Sequence, residues 1–305
     1  MVVGSASRDL SVTDRRGWRL GGAAAYIGLT LARLGLRPRV LVGVDSAAAE
    51  AAELDLLRDA GADLRLVLLR EAPVFDNREV DGLRTQHCIE PGNPIQPASL
   101  PPDWRSATTW IFGPVADEVP EAWAAVPPAD AFVALGWQGL LRDLPRGGVV
   151  RRRAPAASAL VRRAGLVGVS RHDLGPEQPI AGLIELLRSD ARLVVTDGKS
   201  GGTSWTRRTD GSAVGRRYPA IPARVVDPTG AGDAFLAGLV AARLGHQLAG
   251  SGRAGPALRL GAALGSLVVE GHGLQGVPLA ALIADRLRVN VNLQRRSPPG
   301  AGSAR

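Results

Sequence analysis

The sequence predicts an α/β fold with a mostly parallel central sheet and a small β lid, and three features support this prediction. Short runs of β-branched residues alternate with longer stretches of helical periodicity. The alternation is interrupted by a hairpin pattern around Asp81-Gly82. A glycine-rich turn at residues 227–233 introduces a long apolar helix late in the chain. Alternating strands and helices are typical of a parallel sheet with right-handed crossover connections.

The composition limits the classes of protein to consider. The chain has 305 residues, of which 45% are hydrophobic, so it is long enough to bury the core of one large α/β domain. Its formal net charge of +8 reflects an excess of arginine, since Lys199 is the only lysine. No basic stripe interleaved with aromatic residues occurs, so we expect no nucleic-acid partner.

Cysteine, histidine and the apolar runs exclude further classes. Cys88 is the only cysteine, which rules out a disulfide framework and a cysteine metal cluster. The four histidines are scattered without metal-ligand spacing. The chain opens without a signal-peptide pattern, and no apolar run reaches the ~18–20 residues of a membrane span. We therefore expect a cytoplasmic protein that has no membrane partner.

The first part of the chain alternates strands with helices. Gly35 and Gly61 are natural C-terminal stops for two of the helices. The predicted order is a strand at 1–5, a polar hairpin segment at 11–20, a helix at 21–34, a strand at 39–44, a helix at 47–60 and a strand at 64–69.

The alternation breaks at Pro73. Two strand-like runs, 74–80 and 83–87, flank Asp81-Gly82, which is a strong turn signal for a β-hairpin. No helix separates these runs, so we interpret the segments at about 11–20 and 73–90 as a lid that excludes water from a site beneath it. An ordinary hairpin at the edge of the sheet is the alternative interpretation.

The alternation resumes after the lid. The predicted strands lie at 109–112, 131–135, 166–169, 193–196, 203–207, 214–218 and 224–226. The predicted helices lie at 120–126, 155–163, 180–188, 231–244, 256–270 and 279–293. The polar, proline- and glycine-containing composition of residues 294–305 indicates a disordered tail.

The glycine-rich turn combines two glycines with an acid at a helix N-terminus. Gly230 and Gly232 allow a sharp bend and a close approach to the backbone. The first amides of the helix have no intrahelical acceptor and carry the positive end of the helix dipole, which makes an anion site. Asp233 would repel an anion there, so we interpret it as the base that takes a proton from a hydroxyl attacking a phosphoryl group.

Other known types of glycine-rich turn match residues 227–235 less well. In a dinucleotide fingerprint, Phe235 would replace the third glycine. A P-loop is excluded, because Leu193 stands where the first glycine before Gly198-Lys199-Ser200 would be required. A plain capped helix start would not need two glycines and an acid in addition to the capping Thr229.

The nine residues 227–235, Asp-Pro-Thr-Gly-Ala-Gly-Asp-Ala-Phe, resemble the C-terminal signature of the ribokinase-like (phosphofructokinase B-type) carbohydrate kinases. The resemblance covers nearly the whole chain in order, and it implies a three-layer α/β/α fold in a single domain over residues 1–293. Further stretches, at 21–27, 93–97, 138–142 and 265–270, are similar to the myo-inositol kinase branch of this family.

The resemblance also implies roles for individual residues that bind the phosphoryl acceptor and for residues of the glycine-rich turn. The anion hole is assigned to Gly230, Ala231 and Gly232, with Asp233 as the base. Substrate binding is assigned to Asp9, Gly21, Gly22 and Tyr26. Tyr26 stands where much of the family has an asparagine, and its ring is expected to form a flat wall against a cyclic substrate.

On the donor side, the resemblance implies a nucleotide site and a metal contact. ATP binding is assigned to Thr196, Gly198, Gly201, Asp227 and Thr229. The pattern of the first three could also be a plain turn after a strand. The family usually has Asn-x-x-Glu where this chain has Ser170 and Asp173, and Asp173 is expected to contact Mg²⁺ through a water molecule.

From these patterns we expect ATP-dependent phosphorylation of a hydroxyl of a small sugar or cyclic polyol, with myo-inositol-like substrates favoured. The implied cofactors are ATP and Mg²⁺, with a monovalent cation as a further candidate, and the lid is the expected surface of a homodimer. The alternatives are a non-catalytic sugar- or nucleotide-binding regulator on the same fold, a nicotinamide oxidoreductase, and a kinase of a pentose, hexose or nucleoside.

Overall fold

The computed structural model describes residues 1–80, 83–245 and 255–296. Within these residues, the strands in chain order are β1 (Val2–Ser5), β2 (Ser7–Leu10), β3 (Trp18–Gly21), β4 (Arg39–Val44), β5 (Asp63–Leu68), β6 (Val74–Val80), β7 (Leu83–Glu90), β8 (Thr109–Phe112), β9 (Phe132–Gly136), β10 (Arg142–Asp143), β11 (Gly148–Val149), β12 (Arg151–Arg152), β13 (Leu166–Ser170), β14 (Arg192–Thr196), β15 (Gly202–Arg207) and β16 (Ala213–Tyr218).

The described residues also form α-helices. They are α1 (Ala23–Arg33), α2 (Ser46–Ala49), α3 (Glu53–Asp59), α4 (Ala159–Arg163), α5 (Arg171–Leu174), α6 (Ile180–Glu185), α7 (Ala231–Arg243), α8 (Pro256–Val268) and α9 (Ala280–Arg296). None of them combines the length and the apolarity that are needed to cross a membrane.

The central sheet confirms the predicted fold class. In the described part of the chain its order is β16-β15-β14-β13-β9-β8-β1-β4-β5. All pairs from β14 to β5 are parallel, and β15 and β16 add an antiparallel edge. Because the parallel strands are covered on both sides, their residues alternate between two buried cores.

The two cores lie on opposite faces of the sheet. Val2 of β1 faces a core that includes residues of α1, α3, α7, α8 and α9. Its neighbour Val3 faces a second core that contains four buried tryptophans and residues of α4 and α6. The result is the predicted arrangement of helices on both faces of the sheet.

A separate sheet forms the lid. Its order is β11-β7-β6-β2-β3, so the predicted hairpin of residues 74–87 and the segment around 11–20 belong to one structure. Within it, β2 and β6 pair in parallel, while β2–β3 and β6–β7 are antiparallel. The predicted turn residues Asp81-Gly82 lie outside the described residues.

Several predicted helices are shorter than their sequence patterns indicate, and three of them differ in kind or in where they begin. The segment 47–60 divides into α2 and α3, and Asp45 caps the start of α2 by accepting a 2.8 Å hydrogen bond from the amide of Ala48. Ser158 caps α4 in the same way, so that helix begins at Ala159 and not at 155. The segment 120–126 forms a 3₁₀-helix over Glu121–Ala125.

The prediction of a strand at 224–226 is wrong. Val225 and Val226 are exposed and belong to no sheet. Their segment follows Pro219 and Pro222, which lack the amide donors that a ladder requires. The amides of Val226 and Asp227 donate instead to the carbonyl of Val269, at 2.7 and 3.1 Å. The glycine-rich turn therefore connects a loop, held by the end of α8, to α7.

The C-terminal boundary also differs from the prediction. Helix α9 continues to Arg296, so residues 294–296 are helical and the predicted disorder is wrong for them. The remaining residues of the predicted tail, 297–305, lie outside the described residues.

Candidate active site

The candidate site is built around the turn that starts α7. Gly230, the residue that precedes this helix, has φ 81° and ψ −2°, in the left-handed region. A Cβ atom at this position would also overlap the ring of Tyr26. Glycine is therefore required here for two independent reasons, the backbone angle and the close approach of the ring.

Asp227 fixes the shape of the same turn. Its carboxylate accepts a 3.0 Å hydrogen bond from the amide of Thr229 and a 3.1 Å hydrogen bond from the amide of Gly273. The predicted ATP-binding side chain is thus engaged within the protein, where it ties the turn to the segment after α8. Direct ATP contacts of Asp227 and Thr229 stay a prediction.

Gly232 provides the open side of the turn. It is exposed, and a Cβ atom added to it would meet no atom within 4 Å. The backbone amides of Gly230, Ala231 and Gly232 surround the N-terminus of α7, where helix amides lack intrahelical acceptors. This geometry leaves room for an anion at the predicted position.

Asp233 lies on the first turn of α7. The residue as a whole is half-buried, but its carboxyl group is removed from solvent, and this burial raises its pKa to about 7. The positive charge of Arg142 lowers this pKa, and the negative charge of Asp173 raises it. A carboxyl group with a pKa near neutrality is suited to general acid–base chemistry.

Asp173, whose charge acts on this acid, is oriented by hydrogen bonds that the sequence pattern did not reveal. The side-chain amide of Gln138 donates to both carboxylate oxygens of Asp173, at 3.2 and 3.4 Å. Ser170, at the position of the usual asparagine, caps α5 by accepting a 3.1 Å hydrogen bond from the amide of His172. Ser170 and Asp173, which replace the usual asparagine and glutamate, therefore both have hydrogen-bond partners within the protein.

Arg142 is a site residue that sequence reasoning did not assign. Its guanidinium lies 5.8 Å from the ring centre of Phe75 in the lid and donates to the carbonyl of Val115 at 3.4 Å. It follows the 3₁₀-helix Gln138–Leu141, so the resemblance of residues 138–142 to the inositol kinase branch was the available signal. Arg142 therefore contacts both the lid, at Phe75, and the segment after β8, at Val115, and its charge acts on Asp233.

Asp9, which is predicted to bind the substrate, lies on β2 of the lid sheet. The hydroxyl of Ser7 donates to its carboxylate at 3.0 Å. A Cβ atom on Gly21 would come within 2.5 Å of the other Asp9 oxygen, and a Cβ atom on Gly22, at φ 98°, would overlap the carbonyl of Ser5. Both glycines are buried. Packing against β1 and β2 accounts for them, and their contact with a substrate stays a prediction.

Tyr26 corrects one expectation and connects the two halves of the site. The residue is 1% exposed, so its ring forms no flat wall in the cleft but supports Gly230 from within the core. Burial raises the pKa of its hydroxyl well above the usual value, and the charges of Asp9, Asp227 and Asp233 raise it further. The charges of Asp9, which is predicted to bind substrate, and of Asp233, the predicted base, thus both act on this one side chain.

The predicted nucleotide loop follows β14. Thr196 ends this strand, and its hydroxyl donates to the carbonyl of Val169 at 3.4 Å. Gly198 has φ 47° and open space around it, whereas a Cβ atom on Gly201 would overlap the backbone of residues 218–220. Gly201 is therefore explained by packing, and Gly198 remains available to a ligand.

The acids of the site suit a metal ion that arrives with phosphate groups. No cluster of three or more His, Cys, Asp or Glu side chains that could hold a metal occurs among the described residues. A single carboxylate such as Asp173 is nevertheless a suitable contact for Mg²⁺, which retains several waters and binds through substrate phosphates. The residues present therefore fit Mg²⁺ bound mainly by a nucleotide.

Sequence comparisons give a consistent result. Residues 147–280 match the pfkB family of carbohydrate kinases. An inositol 3-kinase from Oryza sativa subsp. japonica is 30% identical over 273 residues, covering 80% of this chain and 62% of the relative. An inositol 3-kinase from Zea mays is 29% identical over 265 residues, covering 80% of this chain and 66% of the relative. The chain thus spans less than two thirds of the length of these relatives.

Solved structures share the fold. A pyrophosphate-dependent kinase of the ribokinase family, complexed with a pyrophosphate analog and myo-inositol, has a TM-score of 0.70 at 17% identity and covers 94% of this chain and 98% of its own. Ribokinase from Arabidopsis thaliana, complexed with ribose and ATP, has a TM-score of 0.64 at 19% identity, covering 94% and 97%. The fold is therefore ribokinase-like.

Replacing the two glycines of the turn, each in its own variant, distinguishes an effect on protein stability from an effect on ligand binding. Gly230→Ala should lower the free energy of unfolding by roughly 2–5 kcal/mol, because it forces a side chain into the left-handed region and against Tyr26. Gly232→Ala should leave stability unchanged or slightly higher, since the position is open, but reduce turnover. Urea denaturation followed by circular dichroism measures the difference, and equal midpoints for the two variants would contradict this account of the turn.

Proposed function

We propose that this chain, whose residues 147–280 match the pfkB family of carbohydrate kinases, transfers the terminal phosphoryl group of ATP to a hydroxyl of a cyclic polyol of the inositol type. The observation that carries this proposal is the position of Asp233, a carboxyl group with a pKa of about 7, beside the open amides of Gly230 to Gly232. This combination places a proton acceptor next to an anion site.

In the proposed reaction, Asp233 accepts the proton of the acceptor hydroxyl as its oxygen attacks the γ-phosphorus. The bond from that phosphorus to the bridging oxygen breaks, and ADP leaves with the electron pair. The amides at the start of α7 stabilise the charge on the transferring group. Positioning and preorganised electrostatics of this kind supply most of the catalysis in phosphoryl transfer.

The donor is proposed to bind along the loop of residues 196–201 and to reach the start of α7. Gly198 is open to a ligand there, and Lys199 adds a positive charge. Asp173, oriented by Gln138, would contact the hydration shell of Mg²⁺. When bound, Mg²⁺ neutralises phosphate charge.

The acceptor is proposed to be a cyclic polyol because of its relatives and because of Asp9. The similar plant proteins are inositol 3-kinases, and one structure of the same fold holds myo-inositol. A carboxylate accepts hydrogen bonds from two hydroxyls at once, which suits a vicinal diol. The charges of Asp9 and Asp233 both act on the hydroxyl of Tyr26, which supports one site that contains both acids.

A non-catalytic regulator on the same fold is less well supported. Such a protein needs no buried acid with a pKa near neutrality beside a helix N-terminus. The charge of Asp173 also acts on Asp233, although the usual Asn-x-x-Glu is absent.

The decisive experiment is a product assay with purified protein and Mg²⁺. ATP and pyrophosphate are tested as donors against inositols, pentoses, hexoses and nucleosides, and the phosphorylated products are identified by mass spectrometry. We expect the highest kcat/KM with ATP and an inositol. Absence of product with every pair would contradict the kinase proposal, and a product formed only with pyrophosphate would contradict the proposed donor.

Asp233→Asn tests the base directly. The substitution keeps the size of the side chain but removes the proton acceptor, so kcat should fall by about 10²–10⁴. ATP affinity, measured by calorimetry, should change less than threefold. Turnover within a few-fold of the unmodified protein would show that another group accepts the proton.

The pH dependence gives a second test of the same group. The base acts only when ionised, so kcat/KM should fall about tenfold per pH unit below pH 7 and level off above it. Asp173→Asn removes a negative charge that raises the pKa of Asp233, so its inflection should move to lower pH. An inflection that does not respond to Asp173 would belong to a different group.

Asp9→Ala should affect the acceptor and spare the donor. Charge-assisted hydrogen bonds contribute about 1.5–3 kcal/mol each, so the acceptor KM should rise roughly ten- to a hundredfold. The ATP KM should remain within twofold. A raised ATP KM with an unchanged acceptor KM would mean that the two halves of the cleft are assigned the wrong way round.

A further inference from the structure

Six residues at the antiparallel edge of the central sheet share one face. Residues that pair directly across neighbouring strands point to the same side of a sheet, and so do residues two positions apart on one strand. The register of β14, β15 and β16 sets these six in two rows, Val194 with Ser204 and Arg216, and Arg192 with Thr206 and Val214.

The start of α8 lies over this face of the sheet edge. Val194 belongs to the core that contains residues of α7 and α8, so this is the side on which these helices pack. A cavity with a volume of about 360 Å³ lies between the sheet edge and the helix. Among the described residues it is lined by five of the six row residues, all except Val194, and by residues 255–258. We call it the edge cavity.

The helix contributes free amide groups to the edge cavity. Helix α8 begins with Pro256, and the amide of Arg259 donates to the carbonyl of Gly255 at 3.2 Å. The amides of Ala257 and Leu258 precede this first bond, so they have no acceptor within the helix. The first turn of α8 contains no acidic residue. The positive end of the helix dipole is therefore not neutralised locally.

Two arginines add full positive charges to the same cavity. Arg192 and Arg216 are exposed, and neither of them has an ion pair or a hydrogen-bonded side chain within the described part of the chain. No acidic residue occurs among the described residues that line the cavity. The edge cavity thus combines two unpaired guanidinium groups with a helix N-terminus.

Ser204 supplies an independent indication of a ligand. The residue is only 7% exposed, and it lines the edge cavity. Its hydroxyl has no hydrogen-bond partner among the residues that the structure describes. A polar group that is removed from water without a partner costs free energy, so such groups are normally satisfied. A ligand with acceptor oxygens in the cavity would satisfy this one.

We propose that the edge cavity binds the phosphate group of a small phosphorylated molecule. A phosphate group has acceptor oxygens and negative charge, which suit guanidinium forks, free helix amides and a hydroxyl donor. The volume of the cavity falls in the range of small-molecule pockets, so it exceeds what a lone phosphate ion requires. Thr206 and Val214 offer one polar and one apolar contact to the remainder of the ligand. The proposed ligand class is a phosphate monoester.

The edge cavity is separate from the candidate active site. Arg192 begins β14 and Thr196 ends it, so about 13 Å of strand lies between the cavity and the loop of residues 196–201. None of the described lining residues belongs to the candidate active site. The proposal therefore does not depend on the proposed kinase reaction.

Binding is tested with the full chain at low ionic strength, where charge interactions are least screened. Inorganic phosphate, glycerol 2-phosphate and myo-inositol 1-phosphate are titrated by calorimetry, with glycerol and myo-inositol as uncharged counterparts. Backbone NMR signals of Ala257 and Leu258 report the place of binding. We expect both monoesters to shift these signals and to bind more tightly than inorganic phosphate. The uncharged polyols should leave the two signals unchanged.

Substitutions then assign the contacts. Arg192→Leu and Arg216→Leu should each weaken monoester binding about ten- to a hundredfold, because each removes a charge-assisted hydrogen bond. Ser204→Ala should weaken it about three- to tenfold, since it removes a neutral donor. All three variants should keep turnover in the product assay within twofold of the unmodified protein.

Arg217 provides a matched control on the same strand. It is exposed, follows Arg216 directly and pairs with Thr203, so strand alternation directs it to the opposite face. Arg217→Leu removes the same charge and should leave monoester affinity within twofold of the unmodified protein. An equal loss of affinity in Arg216→Leu and Arg217→Leu would mean that general surface charge binds the anion, and the proposal would be wrong.

Arg216→Lys keeps the test valid if leucine disturbs the sheet edge. Lysine retains the charge but lacks the planar fork, so affinity should fall between the values of the unmodified protein and Arg216→Leu. No monoester binding, or binding that leaves the signals of Ala257 and Leu258 unmoved, overturns the proposal. Equal affinities for inorganic phosphate and both monoesters overturn the assignment of an organic group to the cavity. The product assay judges the kinase proposal separately.

Discussion

The candidate site depends on the contact between Tyr26 and the left-handed turn at Gly230. The ring of Tyr26 fills the space that any side chain at position 230 would need, so the turn and the core of the protein fit together in one way. Tyr26 is fixed in α1, which packs against α7 and the sheet. Asp227 restrains the other side of the turn through the amide of Gly273. The direction of α7, and with it the position of Asp233, is therefore determined by buried contacts.

The electrostatics of the site follow from this placement. Burial raises the pKa of the Asp233 carboxyl group, and the negative charge of Asp173 acts in the same direction. Arg142 opposes both effects. A bound phosphate would add negative charge and raise the pKa of Asp233 again, so positive charge near the phosphate is a condition for keeping the base ionised. The arrangement of Arg142 between the lid and the sheet edge meets part of this condition.

Local sequence signals predicted those parts of the molecule that are determined locally. The alternating runs identified the parallel sheet, Asp81-Gly82 identified the hairpin strands, and residues 227–233 identified the turn that carries Asp233. Features that depend on distant contacts were not accessible. The burial of Tyr26 follows from α1 packing on α7, and the placement of Arg142 follows from its contacts with residues 75 and 115. The prediction of a strand at 224–226 was wrong because Val269, which is distant in sequence, supplies the acceptor for the amides of Val226 and Asp227.

An ion pair anchors the lid sheet to the central sheet beside Asp9. Arg8 donates to the buried carboxylate of Asp45 at 3.0 and 2.8 Å, which anchors β2 to the central sheet beside Asp9. The acid that would hold the reacting part of a polyol is therefore tied to the same framework as Asp233.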